Sequence, residues 1–357
     1  MKQVNFVLPP ALKKAAGGYK VVYQYANALA RRGIDVCIYY NSKKGENSKH
    51  IPAKIMFLLR KYISWIEPRW VPLNRKIKKV SIWQIDNKYI RKADITVCTA
   101  IDTVMPCYKV VSKQGGKLIH FVQDHENWFL DDREVDKIYH LPIDKICVSS
   151  WVAERVRQSC NTTIYTVLNG IDRSIFFRNS KIEKDDYTIC MMYKSEDPRQ
   201  VRKNSTMGIS VLIELKKRFP QLRVRLFSVD RRPKNIPGWM DYTYRACEQD
   251  LHRIYNESSI YLCTSIEEGY GLPCIEAMNC GCVLVTTDNQ GIREFSEENK
   301  NALISAVKDE KAMLDHLVYL FENPEKIHSM GQYAEESVKK ISLDKQADKF
   351  IDILLKY

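Results

Sequence analysis

Two glutamates in the segment SIEEGYGLPCIEAM, residues 265–278, have the type and spacing to hold a polyhydroxyl ligand. Glu268 and Glu276 are separated by seven residues, and Gly269 and Gly271 lie between them. A carboxylate offers only hydrogen-bond acceptors, which suits the diols of a sugar. A glycine lets backbone N–H groups approach a bound oxyanion or hydroxyl closely. The segment therefore predicts a loop that binds sugar hydroxyls.

The same segment also has a purely structural interpretation. Pro273 suits the first turn of a helix, which predicts Glu276 near the amino end of that helix, where a carboxylate is electrostatically favoured. Glu276 would then only cap its helix, and the two glycines would only turn the chain. Spacing alone leaves both interpretations open.

The first forty residues predict a strand, a helix and a second strand. Residues 4–8 alternate as a strand does, a loop with Gly17 and Gly18 follows, and apolar residues then recur at helical spacing as far as Gly33. Residues 34–40 form the next predicted strand. Further short apolar runs lie at residues 95–98, 118–122, 146–148 and 163–168, and the pair Ser149 and Ser150 precedes a helical segment at 151–160. This alternation is typical of a doubly wound parallel sheet.

A second series of strands and helices starts after the polar stretch at residues 178–186. Its predicted strands are residues 188–193, 224–229, 260–263 and 283–286, and its predicted helices are residues 207–219, 248–256 and 273–279, followed by a helical tail from Lys311. We therefore expect an α/β protein with a first domain at 1–172, a second at 173–340 and a last helix at 341–357 that packs back on the first domain. Two such domains are expected to place a ligand at the carboxyl ends of their strands, in the cleft between them.

The setting EGYGLPCIEAM of the two glutamates resembles the E-x7-E signature of the family 4 retaining glycosyltransferases, which have the GT-B fold of two Rossmann-like domains facing across a cleft. In that family the first glutamate contacts hydroxyls of the donor sugar and the second holds the ribose of the nucleotide. The resemblance implies these roles for Glu268 and Glu276, with the backbone of Tyr270, Gly271 and Leu272 also touching the donor. The resemblance covers most of the chain. Within the family, the sequence is similar to bacterial polysaccharide enzymes, rhamnosyltransferases among them.

Two segments of the first half extend this resemblance. The loop with Gly17 and Gly18 resembles the family's glycine-rich loop, which faces the donor phosphates. HFVQDHENW, residues 120–128, resembles the segment that brings an acidic or histidine side chain into the cleft. Asp124 follows a predicted strand end and is expected to orient the acceptor hydroxyl or the donor sugar.

The segment YKSEDPRQVRKNS, residues 193–205, occupies the place where the family has an arginine and a lysine that clamp the diphosphate. Such a clamp stabilises the leaving nucleoside diphosphate, whose negative charge grows as the glycosidic bond breaks. Lys203 is our candidate for the lysine. Lys194, Arg199 and Arg202 all compete for the second position, and the sequence does not separate them.

The sequence favours a site without a metal or another cofactor. It contains no D-x-D motif, no H-x3-H pair and no clustering of histidine with cysteine at the spacing of metal ligands. His120 and His125 remain candidates for catalysis, although a lone histidine is more often structural. Cationic side chains and a helix terminus would bind and neutralise the diphosphate in place of a metal ion.

Positive charge is concentrated in residues 54–92. The chain has a net charge of +13, and this stretch mixes eleven lysines and arginines with aliphatic and tryptophan side chains against only Glu67 and Asp86 as acids. A basic, aromatic surface of this kind suits a bilayer that carries anionic lipid. The alternative is a solvated basic face that covers a core helix, and both interpretations stay open.

The family resemblance, together with the absence of metal-binding motifs, implies a metal-independent, retaining glycosyltransferase of the hexosyltransferase class. It would move a sugar from a nucleotide-sugar to a glycan or lipid-linked acceptor in cell-surface polysaccharide synthesis. A nucleotide-sugar epimerase of the same fold and a non-catalytic glycan-binding subunit are the alternatives. Scattered cysteines and an N-terminal segment unlike a signal peptide predict a cytoplasmic protein, peripheral at the inner face of the cell membrane. No pattern for nucleic-acid binding is present.

Overall fold

The computed structural model of the protein describes residues 2–42, 52–195 and 201–357. The strands are β1 Gln3–Leu8, β2 Asp35–Asn41, β3 Lys78–Ile82, β4 Ile95–Cys98, β5 Lys117–Val122, β6 Asp144–Cys147, β7 Ile164–Thr166, β8 Asp185–Met192, β9 Arg223–Ser228, β10 Asp241–Tyr244, β11 Ser258–Cys263, β12 Val283–Thr287 and β13 Ala302–Ser305. The helices are α1 Gly17–Arg31, α2 Ala53–Ile66, α3 Ile101–Gln114, α4 Asp132–Tyr139, α5 Ser150–Arg157, α6 Ser205–Arg218, α7 Glu248–Glu257, α8 Leu272–Asn279, α9 Glu310–Glu322, α10 Pro324–Val338 and α11 Leu343–Leu355.

These elements form two compact units, each built on one sheet. Unit 1 comprises Met1–Asn169 and Asp344–Tyr357, and unit 2 comprises Gly170–Leu343. The sheet of unit 1 has the strand order β3-β2-β1-β4-β5-β6-β7, and that of unit 2 has the order β10-β9-β8-β11-β12-β13. Neighbouring strands run parallel throughout both sheets. Both are doubly wound Rossmann-like sheets, so the structure confirms the predicted α/β fold class.

The central strands of both sheets are buried along their whole length, and most of their residues are apolar. All four residues of β4 and all six of β11 are buried, as is typical of strands in the middle of a parallel sheet. Such mostly apolar runs are the signal that identified these strands in the sequence. The partly exposed strands β3 and β10 carry no such run, and the largely buried strand β13 has only four residues, three of them apolar. The sequence analysis did not predict these three strands.

The last helix, α11, completes the core of unit 1. Phe350 is fully buried, and its ring stacks on Tyr25 of α1 at a centroid distance of 4.3 Å. The same ring contacts Phe121 of β5 at 5.4 Å and Phe6 of β1 at 6.4 Å. Two strands and a helix from the start of the chain therefore pack against a residue near its end.

None of the described helices is both long and apolar enough to cross a bilayer.

We expect Phe350→Ala to destabilise unit 1 by about 3–5 kcal/mol, because a buried aromatic ring with three aromatic neighbours leaves a large cavity when it is truncated. Urea unfolding followed by circular dichroism measures the change in the free energy of unfolding. Phe129→Ala is the matched control, since the side chain of Phe129 is 54% exposed. Equal effects of the two substitutions would show that α11 is not part of the core.

Candidate active site

In unit 2 the predicted residues gather where the strand order reverses. β8 and β11 are neighbours at that point, and the strands on either side of them continue in opposite directions. Lys203 lies in the connection from β8 to α6, and Glu268 lies in the connection from β11 to α8. Ligands of doubly wound sheets bind outside the carboxyl ends of such a strand pair. The topology therefore places both side chains at the expected ligand site of this sheet.

Lys203 and Glu268 form an ion pair. The ammonium nitrogen of Lys203 lies 2.6 Å from both carboxylate oxygens of Glu268, and both side chains are largely buried, with 15% and 11% of their surface exposed. The hydroxyl of Ser265 donates to Glu268 Oε1 over 2.7 Å. The sequence analysis identified the two charged residues separately and did not pair them, and it missed Ser265.

The carboxylate of Glu268 is ionised in this setting. Burial opposes its ionisation, but the charge of Lys203, its hydrogen bond and that of Ser265 outweigh burial, and they hold the pKa of Glu268 below its usual value. Arg202 adds a further positive charge nearby. The site thus presents the ionised carboxylate of Glu268 directly beside the side-chain nitrogen of Lys203.

Backbone hydrogen bonds join the two loops that carry this pair. The amide of Ile266 donates to the carbonyl oxygen of Arg202 over 2.7 Å. The hydroxyl of Thr264 donates to the carbonyl oxygens of Lys203 and Asn204 over 3.2 and 2.9 Å. Arg202 and Lys203 belong to a 3-10 turn just before α6, so the turn is fixed to the end of β11. The relative position of Lys203 and Glu268 does not depend on their side chains alone.

A third loop, after β12, supports Glu268 from the other side. The amide of Glu268 donates to the carbonyl oxygen of Asn289 over 3.0 Å, and Glu268 forms an isolated bridge with Gln290. A Cβ atom on Gly291 would lie 2.6 Å from the carbonyl oxygen of Glu268 and 2.9 Å from the carbonyl carbon of Tyr270. Only a glycine allows this approach. The sequence analysis missed this loop, although DNQG, residues 288–291, is a turn signal.

Glu276 lies on α8, which starts directly after the Glu268 loop. Gly271 has a φ of +89°, a left-handed conformation that favours glycine, and it turns the loop into the helix. Glu276 is the fifth of the eight residues of α8 and only 6% exposed, so it is neither at the helix start nor a simple cap. Tyr270 is buried with its ring 5.5 Å from that of Phe295, and Leu272 is the first residue of α8.

The remaining basic candidates of unit 2 differ in what the structure says of them. Lys194 follows β8, and its amide donates to Ser205 Oγ at the start of α6 over 2.9 Å. Its backbone is therefore attached next to Lys203. Arg202 immediately precedes Lys203 in the 3-10 turn. Arg199 lies outside the described residues. Each of these positions remains a prediction for the second cation of the clamp.

Unit 1 has its own reversal of strand order, between β1 and β4. Gly17 and Gly18 are the first residues of α1, which follows β1. A Cβ atom on Gly18 would lie 3.3 Å from the amide of Gln123, so the glycine pair adjoins the loop after β5. That loop carries Asp124, whose carboxylate accepts from the amide of His125 over 3.0 Å. The first-half candidates therefore group together within unit 1.

The two histidines of that segment are both buried, and they differ in their contacts. Burial and the charge of Lys145 lower the pKa of His120 to about 3, so it is neutral in the core of unit 1. His125 Nε2 lies 2.9 Å from a carboxylate oxygen of Asp132. His125 follows Asp124 directly, whereas His120 lies on β5 itself.

Within residues 2–42, 52–195 and 201–357, no group of three or more histidine, cysteine, aspartate or glutamate side chains is placed to hold a metal ion.

Similarity to known proteins agrees with this architecture. Residues 241–337 match the family model described as glycosyl transferases group 1, and this segment contains both Glu268 and Glu276. Sucrose-phosphate synthase from Thermosynechococcus elongatus superposes with a TM-score of 0.78 and 13% identity, over 100% of this chain and 99% of that one. HepE of Anabaena, solved in complex with UDP-glucose, superposes with a TM-score of 0.75 and 12% identity over the full length of both chains. The chain therefore has the GT-B fold.

A curated relative gives a similarity in sequence as well. "Putative glycosyltransferase EpsD" of Bacillus subtilis is 22% identical over 212 residues, which are 55% of this chain and 52% of the relative. The chain thus spans about half the length of the curated relatives that it matches first.

We expect Gly291→Ala to displace the Glu268 loop, because the added methyl group would overlap backbone atoms that cannot rotate away. Overpacking of this kind costs about 1–3 kcal/mol in the free energy of unfolding, and it should weaken binding at Glu268 as well. Gly238→Ala is the matched control, since no atom lies within 4 Å of the added carbon there. Thermal unfolding of both variants measures the difference, and an equal melting temperature would contradict the close approach.

Proposed function

We propose that this protein is a retaining glycosyltransferase that transfers a sugar from a nucleotide-sugar to a glycan or lipid-linked acceptor in cell-surface polysaccharide synthesis. The observation that carries the proposal is the buried pair of Lys203 and Glu268 at the reversal of strand order. Glu276 on the adjacent helix and the group 1 glycosyltransferase match support it. A cation for a diphosphate and carboxylates for hydroxyl groups are what a nucleotide-sugar requires.

Lys203 would bind the diphosphate of the donor. An ammonium group has three N–H donors, so Lys203 can keep its contact with Glu268 and also bind a phosphate oxygen. The diphosphate gains negative charge as its bond to the anomeric carbon breaks. A positive charge already fixed in a buried site stabilises that change without reorganising.

Glu268 and Glu276 would bind the hydroxyl groups of the donor. Ser265 and the loop after β12 fix the carboxylate of Glu268, which would accept hydrogen bonds from the transferred sugar. Glu276 lies eight residues further on and would accept from the ribose. Because Glu268 is kept ionised, it would accept hydrogen bonds over the whole neutral pH range.

Retention of configuration follows from attack on the face from which the diphosphate leaves. The acceptor oxygen forms its bond to the anomeric carbon there, the bond from that carbon to the diphosphate oxygen breaks, and the acceptor proton passes to a diphosphate oxygen. Such a reaction needs no separate general base. Asp124 in unit 1 would orient the acceptor hydroxyl, and the glycines at 17 and 18 would leave room for the donor.

The proposed reaction needs no metal ion, because Lys203 and a second cation nearby would neutralise the diphosphate. The sugar and the nucleotide are to be found by experiment. The resemblance to rhamnosyltransferases and the UDP-glucose bound to HepE make dTDP-rhamnose and UDP-glucose the first two donors to test.

Donor binding tests the function directly. A nucleotide-sugar or nucleoside diphosphate that binds the folded protein raises its melting temperature. At a ligand concentration of 100 times Kd, binding increases the free energy of unfolding by about 2.7 kcal/mol. We expect one nucleotide to do so with the wild type and Glu276→Gln to weaken that nucleotide about 10-fold to 100-fold, because a hydrogen bond to a charged group is lost. Thermal shift titrations give both affinities.

The control for that substitution is Glu322→Gln on the exposed side of α9, which should bind as the wild type does. An unchanged affinity in a folded Glu276→Gln variant would rule out its ribose contact. A wild type that no nucleotide stabilises would leave the glycan-binding alternative. Sugar isomerisation without an acceptor would instead identify an epimerase.

We expect substitution of Lys203 to lower turnover far more than it lowers the stability of the fold. We expect Lys203→Met to lower kcat of transfer about 100-fold or more, because the departing diphosphate loses its cation. The substitution also leaves the carboxylate of Glu268 buried without its partner, which costs about 3 kcal/mol of stability. The double variant Lys203→Met, Glu268→Gln removes that penalty and should fold normally while remaining inactive.

Lys203→Arg keeps the charge and should retain part of the activity. All assays run in EDTA, in which the wild type is expected to stay active. Activity that disappears in EDTA and returns with magnesium would contradict a metal-independent reaction. A fully active Lys203→Met variant would move the role to Lys194, Arg199 or Arg202.

A further inference from the structure

Helix α2 packs on unit 1 through one side only. The ring of Phe57 contacts Trp83 with centroids 5.4 Å apart, and Arg60 donates to the carbonyl oxygen of Ser42 over 3.1 Å. At the end of the helix, Lys79 donates to the carbonyl oxygen of Trp65 over 3.0 Å. Of the fourteen residues of α2, only Ser64 is buried. The helix is therefore held against the protein, but it contributes no buried apolar side chain to the core.

The other side of α2 is an exposed apolar stripe. Its members recur every three or four residues, which places them on one helix face. They are Ile55, Leu58, Leu59, Tyr62 and Trp65, with exposed fractions of 50%, 63%, 46%, 61% and 76%. The stripe extends over eleven residues, or about 15 Å from the first to the last. Large apolar side chains aligned in this way on a soluble surface mark a site that something else covers.

The exposed charges of α2 itself are all positive, and the first acid, Glu67, comes directly after the helix. α2 contains Lys54, Arg60 and Lys61 and no acidic residue. Lys54 and Lys61 are exposed beside the stripe. Arg69, Arg75 and Lys76 are exposed in the segment that follows the helix. Three other basic residues of the stretch 54–92 bind groups of the protein instead. Arg60 and Lys79 donate to the carbonyl oxygens of Ser42 and Glu67, respectively. Arg91 forms an ion pair with Asp35.

We propose that α2 docks this protein on an anionic bilayer. The apolar stripe would enter the boundary between headgroups and acyl chains, while Lys54, Lys61 and the following basic residues would contact the anionic headgroups. A helix with a strong apolar face, a basic flank and no acid has the composition of an interfacial helix. The bilayer is the favoured occupant because its surface is uniformly anionic and apolar beneath, which matches a surface with bases on its flank and apolar side chains at its centre.

The exposure of Ile55, Leu58, Leu59, Tyr62 and Trp65 supports docking over the alternative in which the basic face covers a core helix. This inference goes beyond the proposed sugar transfer and does not depend on it. Membrane binding can be measured without a donor, so a failed vesicle experiment and a failed donor screen are separate results.

Co-sedimentation with vesicles tests the proposal on the full chain. We expect binding to vesicles of phosphatidylcholine with phosphatidylglycerol and none to phosphatidylcholine alone. Each basic side chain near such a surface strengthens binding about fivefold. Binding should weaken as the salt concentration rises, because the screening length falls from about 10 Å at 0.1 M to about 3 Å at 1 M.

Two α2 variants separate the apolar from the electrostatic contribution. Leu58→Ser with Trp65→Ser should weaken binding about 100-fold, because two large apolar side chains are no longer transferred from water into the bilayer. Trp239→Ser with Tyr319→Ser, exposed residues of unit 2, is the control and should bind as the wild type does. Lys54→Glu with Lys61→Glu should weaken binding about 25-fold or more, against no change for Lys340→Glu with Lys349→Glu, which alters the net charge equally.

Trp65 provides a second measurement that does not depend on pelleting. Brominated acyl chains quench a tryptophan that enters the bilayer, so wild-type fluorescence should fall on binding and that of Trp65→Phe should fall less. Several results would overturn the proposal: no binding to anionic vesicles, equal binding to neutral ones, or equal losses in the α2 variants and their controls. A dimer that Leu58→Ser with Trp65→Ser dissociates, without vesicle binding, would assign the stripe to a second copy of the chain.

Discussion

A parallel sheet whose strand order reverses has one place where two neighbouring loops leave in opposite directions, and this constraint decides which residues can share a site. In unit 2 the place lies between β8 and β11, so the loop of Lys203 and the loop of Glu268 are neighbours although they are 65 residues apart. In unit 1 it lies between β1 and β4, where Gly17 and Gly18 begin α1. The chemistry of both units follows from the order of their strands.

The ion pair that forms at this place in unit 2 is not an efficient way to stabilise a fold. Two charges lose most of their water when they are buried, and apolar residues of similar volume often stabilise a protein as well or better. Because the pKa of Glu268 is lowered in the folded chain, its contribution to stability is present at neutral pH and is lost as the pH falls through that pKa. In the proposed function this pair serves as a preorganised group of charges for a ligand.

The sequence predicted those parts of the structure that have a local signal. Strand β4 was predicted with the bounds that the structure has, because a short, mostly apolar run can be recognised without its neighbours. The two glutamates were found from their spacing. The contact of Lys203 with Glu268 was not, since it depends on which strands pair. The loop of Asn289 and Gly291 was missed for the same reason, because its closeness to Glu268 arises only when β12 lies beside β11.

Helix α2 shows a different reason for a missed prediction. Its sequence mixes apolar and basic residues, so periodicity could not tell a buried helix from an exposed one, and only the folded chain reveals that Phe57 packs on Trp83, directly after β3. The assignments of Lys194, Arg202 and Asp124 remain predictions, because position in a loop does not establish contact with a ligand.

The position of α11 after unit 2 in the sequence affects the order in which the two units can complete their cores. Phe350 belongs to the core of unit 1, yet it is synthesised after the whole of unit 2. The nascent chain therefore carries a first unit in which Tyr25, Phe121 and Phe6 lack their contact with the ring of Phe350 until α11 leaves the ribosome. Domains generally fold as units from the N-terminus, and exposed apolar surface makes an incomplete one prone to aggregate. In this protein the second unit can complete its core first, and the first unit, although begun earlier, is completed last.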